Sequence, residues 1–222
     1  MIHSSVPGAV IFDMDGVIID SEQLIQRLMI EEGVKRGLDR TLLEKATKDS
    51  LGVNRVVEKK MYEEIFPGID YDELHGSMGK MYWEHLYAGK LPLKPGVVEL
   101  LEWLKEHDYF VALATSTKEA TAREELELLG VLKYFDSVTC GDMLKKSKPE
   151  PDIYLMACDS LGISPEGSFA VEDSYNGVRS ASSAGLNTIM VPDLVGPDEE
   201  MERLSSVILP SLFDVIEYLK DK

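Results

Sequence analysis

Acidic residues stand directly after two short apolar segments, at the positions where strands of a parallel sheet would end. They are Asp13 and Asp15 in the first case, and Glu172 and Asp173 in the second. In an open parallel sheet the ligand site lies outside the carboxyl ends of the strands, so we expect the four carboxylates to converge. Each pair about 4 Å apart costs about 4 kcal/mol at an effective dielectric constant of about 20. A hard cation removes that repulsion, and oxygen-only ligands favour Mg²⁺.

The same positions suit the transfer of a phosphoryl group. A carboxylate at the tip of a strand, such as Asp13, can attack phosphorus and form an aspartyl-phosphate. Asp15, just outside the strand, can protonate the leaving oxygen and later activate water as a general acid and base. Gly16 allows the backbone to turn sharply after these two acids.

Three further residues can stabilise the charge of a phosphoryl group. Thr115 and Ser116 follow another predicted strand, where the threonine and the serine amide can donate hydrogen bonds to phosphoryl oxygens. Lys148 can neutralise negative charge shared by Asp13 and the phosphate. Taken singly, each is an ordinary turn, cap or surface residue, and their common position near strand ends is what indicates a site.

Alternating strands and helices would position these residues. The predicted strands are Ala9–Phe12, Phe110–Ala114, Ser168–Val171 and Thr188–Val191, with Val207–Leu209 as a fainter fifth. The helices predicted between and after them are Pro95–His107, Lys118–Leu129, Pro151–Leu161, Ser174–Ala184 and Leu212–Lys220. This alternation predicts an α/β fold with a Rossmann-like parallel sheet flanked by helices on both faces. The run Asp198-Glu199-Glu200 is interpreted as a solvated acidic turn.

The segment from Glu22 to Ala88 differs because it contains no clear strand. Its predicted helices are Glu22–Arg36, Arg40–Asp49, Asn54–Ile65 and Tyr71–Tyr87. The predicted domains are therefore a core made of residues 1–21 and 89–222, and a helical-bundle cap made of residues 22–88.

Composition limits the partners of the chain. Its net charge of −17, from 23 basic and 40 acidic residues, repels nucleic acids and anionic membrane surfaces. It has neither an apolar run of about 18 residues nor the pattern of a secretory leader. Cys140 and Cys158 are interpreted as buried thiols of a reducing compartment. We expect a cytoplasmic monomer that binds a small phosphorylated metabolite.

Four motifs resemble those of the haloacid dehalogenase (HAD) superfamily. Asp13-Met14-Asp15-Gly16-Val17-Ile18-Ile19-Asp20-Ser21 is similar to the first signature, D-x-D-G-V-x-x-D-[ST], and the second, third and fourth motifs are matched by Thr115-Ser116, Lys148-Pro149-Glu150-Pro151-Asp152 and Glu172-Asp173-Ser174. The resemblance covers nearly the whole chain. The helical insert after the first motif implies the subfamily of phosphoglycolate phosphatase, sugar-phosphate phosphatases and β-phosphoglucomutase.

The resemblance also implies roles for individual residues. Asp13 would be the nucleophile and a Mg²⁺ ligand, and Asp15 the acid and base as well as a ligand through its backbone carbonyl. Asp173 would be a further Mg²⁺ ligand. Glu172 would either bind Mg²⁺ itself or hydrogen-bond to a residue that does. True dehalogenases lack the second acid of the first motif, so the resemblance favours phosphate chemistry over carbon–halogen cleavage.

The choice between phosphatase and mutase depends on smaller segments. Gly52-Val53-Asn54-Arg55 resembles the part of β-phosphoglucomutases that carries a phosphate-binding arginine, and Thr117-Lys118 resembles their Ser-Lys pair. Arg55 and Lys118 are therefore candidate substrate contacts, with a solvated helix face as the equal alternative for each. Those mutases also carry a histidine where this chain has Ile25.

The absence of that histidine favours a Mg²⁺-dependent phosphatase acting on a small metabolite such as a sugar phosphate. A β-phosphoglucomutase-like mutase is the alternative. A protein that binds phosphorylated metabolites without turnover is a third hypothesis, which the complete set of motif residues disfavours.

Overall fold

The computed structural model describes residues 8–51, 53 and 55–222. The chain divides into two compact units, which we call the α/β unit (Met1–Ile19 with Leu93–Lys222) and the helical unit (Asp20–Pro92). Gly52 and Asn54, from the segment compared above with the mutases, lie outside the described residues.

The α/β unit is built on one parallel sheet. Its strands are β1 (Ala9–Phe12), β2 (Phe110–Thr115), β3 (Ser137–Cys140), β4 (Phe169–Glu172), β5 (Asn187–Met190) and β6 (Val207–Ile208). They lie in the order β3-β2-β1-β4-β5-β6, and every pairing between neighbours in the described residues is parallel. The predicted α/β fold with a Rossmann-like sheet is confirmed.

The strand order reverses direction at the centre of the sheet. From β1 the chain builds outward through β2 and β3, and it then restarts at β4 on the other side of β1. Such a reversal opens a crevice at the carboxyl ends of the two central strands. Phe12 is paired with Val171, so the next residues, Asp13 just after β1 and Glu172 at the end of β4, lie at the same level.

The described residues of the helical unit form four helices, α1 (Ser21–Lys35), α2 (Arg40–Asp49), α3 (Arg55–Ile65) and α4 (Tyr71–Tyr87). Asp39 and Asp70 cap α2 and α4, because their side chains accept hydrogen bonds from backbone amides of the first turn. The buried side chains of the unit include Leu24, Leu28, Leu43, Ala46, Tyr62, Tyr71, Leu74 and Met78. These apolar faces explain why the segment folds as a bundle.

Six helices accompany the sheet in the described part of the α/β unit. They are α5 (Val97–Glu106), α6 (Glu119–Leu128), α7 (Asp152–Leu161), α8 (Tyr175–Ser183), α9 (Glu199–Leu204) and α10 (Leu212–Lys220). The inner faces of α7 and α8 share one buried cluster with small strand residues such as Ala112, Ala114 and Ala170. Short side chains on the strands let these helices approach the sheet closely. No described helix is both long and apolar enough to span a bilayer.

Two elements differ from the sequence-based expectation. Strand β3 was not predicted, because Ser137 and Thr139 interrupt the apolar run that marks the other strands. The predicted acidic turn at Asp198-Glu199-Glu200 is wrong, since these residues begin α9. The Asp198 side chain accepts a hydrogen bond from the Met201 amide, and the helix dipole favours acids in the first turn.

Both cysteines lie in the interior of the α/β unit. Cys140 and Cys158 are buried and form no disulfide. Burial raises the pKa of each thiol to about 11, so both are protonated at neutral pH. The interpretation of these residues as buried thiols is confirmed.

A helix contact in the helical unit gives a first prediction. A Cβ on Gly33 of α1 would lie 2.7 Å from both terminal methyl groups of the buried Leu43 on α2. We expect Gly33→Ala to destabilise the protein by about 1 kcal/mol and to lower its Tm by roughly 2–4 °C, because the overpacked interface must shift.

The matched control is Gly76→Ala on α4, where an added Cβ has no neighbour within 4 Å. The same change there should raise the Tm by roughly 2–4 °C, since alanine is the better helix former. Thermal denaturation of the two variants side by side checks the pair, and equal shifts would contradict the packing explanation.

Candidate active site

The chain turns sharply after β1 and reaches the end of β4. The amides of Ile18 and Ile19 both donate to the carbonyl of Met14, at 2.8 and 3.0 Å. Gly16 has a φ of +80°, and a Cβ at this position would lie 2.2 Å from Oδ2 of Asp173. Glycine is therefore required both by the backbone conformation and by the contact with the aspartate.

Lys148 bridges two carboxylates at the carboxyl ends of β1 and β4. Its Nζ donates to Oδ1 of Asp13 and to Oε1 of Glu172, at 2.6 Å in each case. The lysine side chain is 7% exposed and that of Glu172 is 0% exposed. In such surroundings the ion pairs are poorly screened, and removal of one partner would leave a buried charge without compensation.

The second oxygen of Glu172 is bound by the residues that begin α8. Oε2 accepts hydrogen bonds from Oγ of Ser174 at 3.2 Å and from the amides of Asp173 and Ser174 at 3.3 and 3.5 Å. A Cβ on Gly177 would lie 1.9 Å from the carboxyl carbon of Glu172, so the helix backbone packs directly on this carboxylate. Glu172 is thus oriented through both of its oxygens.

Three carboxylates form a candidate cation site. Asp13, Glu172 and Asp173 each offer an oxygen, and these atoms lie within 4.8 Å of one another. Nζ of Lys148 bonds to two of these residues, Asp13 and Glu172. Three hard oxygen donors this close together fit a divalent cation such as Mg²⁺.

Burial is the main influence on the protonation of Asp13. Burial raises the pKa of the Asp13 carboxyl from 3.8 to about 7, with Lys148 opposing the shift and Glu172 adding to it. The pKa of the Lys148 ammonium is raised by Asp13 and Glu172 against the effect of its burial, so the lysine stays charged. Without a cation, the folded chain therefore tends to keep a proton on Asp13 at neutral pH.

The end of β2 lies beside β1 and brings hydroxyl groups to the same edge of the sheet. Thr115 is buried, and its Oγ1 accepts a hydrogen bond from the amide of Thr117 at 3.1 Å. The hydroxyl of Thr117 donates to Oδ2 of Asp15 at 3.1 Å. Ser116 is exposed. A Cβ on Gly141, just after β3, would lie 2.3 Å from the carbonyl oxygen of Ser116, so the backbone after β3 packs tightly against the backbone after β2.

The other predicted contacts lie outside this cluster. Lys118 is exposed at the N-cap position of α6. Arg55 begins α3 in the helical unit, where its Nη2 donates to Oδ1 of Asp72 at 3.1 Å. Their roles as substrate contacts stay predictions.

Sequence reasoning missed Tyr154. This tyrosine on α7 is fully buried, and its hydroxyl donates to Oε1 of Glu172 at 2.6 Å. The helical spacing of Tyr154, Ala157 and Cys158 indicates an inward face, and a buried tyrosine hydroxyl usually has a partner. The identity of that partner depends on how α7 packs beside β4, which spacing alone does not give.

The family of the chain follows from its match to known proteins. The family model described as haloacid dehalogenase-like hydrolase matches residues 10–191. The chain belongs to this family. The match includes all four motifs, from the acids after β1 to those after β4, and the resemblance stated above is confirmed.

Similar proteins share both the sequence and the architecture of this HAD-like hydrolase. A phosphorylated carbohydrates phosphatase of Thermotoga maritima is 35% identical over 184 residues, which are 82% of this chain and 83% of the relative. Hexitol phosphatase B of Escherichia coli is 30% identical over 209 residues, 93% of each chain. A solved structure from Thermotoga maritima, provisionally assigned as a β-phosphoglucomutase, superimposes with a TM-score of 0.81 at 29% identity and covers 96% of this chain and 99% of its own.

The raised pKa of Asp13 predicts a pH-dependent stability. In the folded state Asp13 holds its proton up to about pH 7, whereas the unfolded carboxyl loses it near pH 3.8. The folded state therefore binds more protons between these values, and stability falls as the pH rises through this window. In EDTA, we expect the Tm to fall between about pH 4 and pH 7, and to fall less in Asp13→Asn.

The wild type and Asp13→Asn have nearly the same net charge, which is −17 in the wild type, so general charge repulsion is similar in both. The difference between their Tm–pH curves therefore reports on Asp13 alone. Thermal scans across the pH range measure it. If the Tm falls equally in the wild type and in Asp13→Asn, the pKa of Asp13 is not raised in the folded state.

The contact between Gly177 and Glu172 gives a further prediction. Gly177→Ala should displace the Glu172 carboxylate and lower the Tm by at least about 3 °C, because the new methyl group would overlap it. Asn176→Ala, at an exposed position of the same helix, is the control and should change the Tm by less than roughly 2 °C. A Gly177→Ala protein as stable as the control would show that Glu172 is not confined by α8.

Proposed function

We propose that this HAD-like hydrolase is a Mg²⁺-dependent phosphatase that releases phosphate from a small phosphorylated metabolite, in the first place a sugar phosphate. The observation that carries the proposal is the buried Asp13 at the tip of β1, bonded to Lys148 and within reach of the carboxylates after β4. The curated relatives quoted above are named as phosphatases of phosphorylated carbohydrates and hexitols, which supports the substrate class.

The proposed reaction has two steps. A carboxylate oxygen of Asp13 attacks phosphorus, the bond between phosphorus and the ester oxygen breaks, and the leaving oxygen takes a proton from Asp15. Asp15 then removes a proton from water, which attacks the aspartyl-phosphate and releases inorganic phosphate, so that Asp13 is regenerated. The Thr117 hydroxyl, which donates to Oδ2 of Asp15, supports the orientation of this acid.

Charge on the transferring phosphoryl group needs donors close to Asp13. The Thr115 hydroxyl already accepts an amide hydrogen, so its own proton is available for a phosphoryl oxygen. The amide of Ser116 and the ammonium of Lys148 are the other proposed donors, and the glycine conformation at Gly16 keeps the turn clear for the substrate.

The carboxylates of Asp13 and Asp173, with the backbone carbonyl of Asp15, are proposed to hold Mg²⁺. When bound, the cation would neutralise charge on the cluster and on the substrate phosphate. Glu172 offers an oxygen to the same site, but its bonds to Lys148, Tyr154 and Ser174 favour a role in orienting the lysine. A bound cation would also favour the ionised form of Asp13, as attack on phosphorus requires.

The helical unit is proposed as the cap that selects the substrate. Arg55 is its candidate for phosphate or sugar recognition, because its guanidinium is partly exposed even while it is paired with Asp72. Lys118 of the α/β unit is the second candidate, since it is exposed and stands two residues after Ser116, the second of the proposed phosphate-binding residues.

A β-phosphoglucomutase-like activity is the second candidate function. The solved structure with a TM-score of 0.81 carries that provisional assignment, which favours keeping it under test. Ile25 on α1, where the mutases have a histidine, argues for hydrolysis, because that position then offers no group to align the acid and base.

Phosphate release from a panel of metabolites tests the proposed function. The panel includes glucose 1- and 6-phosphates, 2-deoxyglucose 6-phosphate, phosphoglycolate and nucleotides, each with Mg²⁺ and with EDTA. We expect release that requires Mg²⁺ and falls at least about a thousandfold in Asp13→Asn, which lacks the nucleophile. Asp159→Asn, which changes an exposed acid on α7, should keep wild-type rates.

Other outcomes separate the alternatives. Interconversion of β-glucose 1-phosphate and glucose 6-phosphate with a bisphosphate primer, without net release, would establish the mutase. Saturable binding of the same compounds without any turnover would establish a binding protein and overturn both enzymatic functions.

A further inference from the structure

We infer that Tyr154 is the positioning residue that holds Lys148 on Asp13 for phosphoryl transfer. The inference rests on the proposed phosphatase function and adds a residue that the four motifs do not include. Tyr154 acts through its neighbours, since its hydroxyl bonds to Glu172 and Lys148 and is not assigned any contact with the substrate.

The hydroxyl of Tyr154 and the ammonium of Lys148 share one acceptor. Both donate to Oε1 of Glu172 at 2.6 Å. With Oε2 bound at the start of α8, the Tyr154 hydrogen bond fixes the remaining freedom of the carboxylate. The position of Oε1 in turn sets where the ammonium lies between Glu172 and Asp13.

Tyr154 also contacts the lysine directly in two ways. Nζ of Lys148 lies 3.4 Å from the tyrosine oxygen and 5.0 Å from the centre of the ring. The ring face attracts the cation, and the long hydrogen bond engages the third hydrogen of the ammonium. The bonds to Asp13 and Glu172 are short, so this third, weaker bond is the one that an incoming phosphoryl oxygen can replace without displacing the lysine.

Tyr154 is fully buried, and the partners of its hydroxyl are all charged groups of the site. A purely structural tyrosine would contribute to packing and stability alone. A positioning residue must also change the local surroundings of Lys148 and the rate of the chemical step.

Tyr154→Phe tests the inference because it removes the hydroxyl and keeps the ring under the ammonium. On the best substrate of the panel, we expect kcat to fall by about tenfold, as for loss of a hydrogen bond to a charged group, with KM changed by less than about twofold. The matched control is Tyr62→Phe in the helical unit, another fully buried tyrosine, whose hydroxyl has no hydrogen-bond partner among the described residues. The control should keep both constants.

A second measurement does not depend on turnover. Limited acetylation of the intact protein, followed by peptide mass spectrometry, compares the labelling rate of Lys148 with that of the exposed Lys45. We expect this ratio to rise by at least about threefold in Tyr154→Phe, because the ammonium loses part of its anchorage, and to stay unchanged in Tyr62→Phe.

A double variant separates the positioning effect of Tyr154 from a general loss of stability. The Tyr154 hydroxyl bonds to Glu172 at 2.6 Å and to Lys148 only at 3.4 Å, so most of its effect passes through Glu172. Adding Tyr154→Phe to Glu172→Gln should therefore lower kcat by less than about twofold more. Full additivity, or unchanged kcat and labelling in Tyr154→Phe, would overturn the inference. A wild type without phosphatase activity would overturn the proposed function instead, while the labelling ratio would still decide whether Tyr154 holds Lys148.

Discussion

The candidate site depends on one buried cation placed between two buried anions. Lys148 bonds to Asp13 and Glu172 at 2.6 Å, and these acids lie at the carboxyl ends of the two central strands of the sheet. Burial makes each of these charges costly alone, and their mutual contacts compensate the burial only while all three stay in place. The chain therefore brings β1, β4 and the segment before α7 to a common point. Because the network still has more negative than positive charge, it is suited to a cation and then to an anionic substrate.

That local arrangement resolves a conflict set by the composition. A protein with a net charge of −17 repels phosphorylated metabolites at long range. Within the crevice, however, an ammonium, a bound divalent cation and the donors at the end of β2 would present positive potential over a short distance. For the proposed phosphatase, this local positive potential would let a compact phosphate monoester bind to an acidic protein.

The sequence predicted much of this arrangement because its signals are local. Asp13, Asp15, Glu172 and Asp173 follow apolar segments that form β1 and β4, and the reversal of strand order brings the ends of those strands together. Elements without such a signal were missed or misread. Strand β3 has polar residues at alternate positions, and α9 begins with acids that resemble a solvated turn until the cap formed by Asp198 is seen. Tyr154 and Thr117 were missed as site residues because their partners are distant in the sequence and depend on packing.

Two glycines limit how such a site can change over evolutionary time. Gly16 and Gly177 each leave no room for a methyl group beside a carboxylate, those of Asp173 and Glu172. A side chain acquired at either position would displace a carboxylate that packs against the backbone there. The exposed Arg55 and Lys118 lie under no such constraint, so exchange of their side chains leaves these carboxylates in place. In a chain of this kind, the positions packed against the carboxylates are closed to larger side chains, whereas exposed positions remain open to exchange.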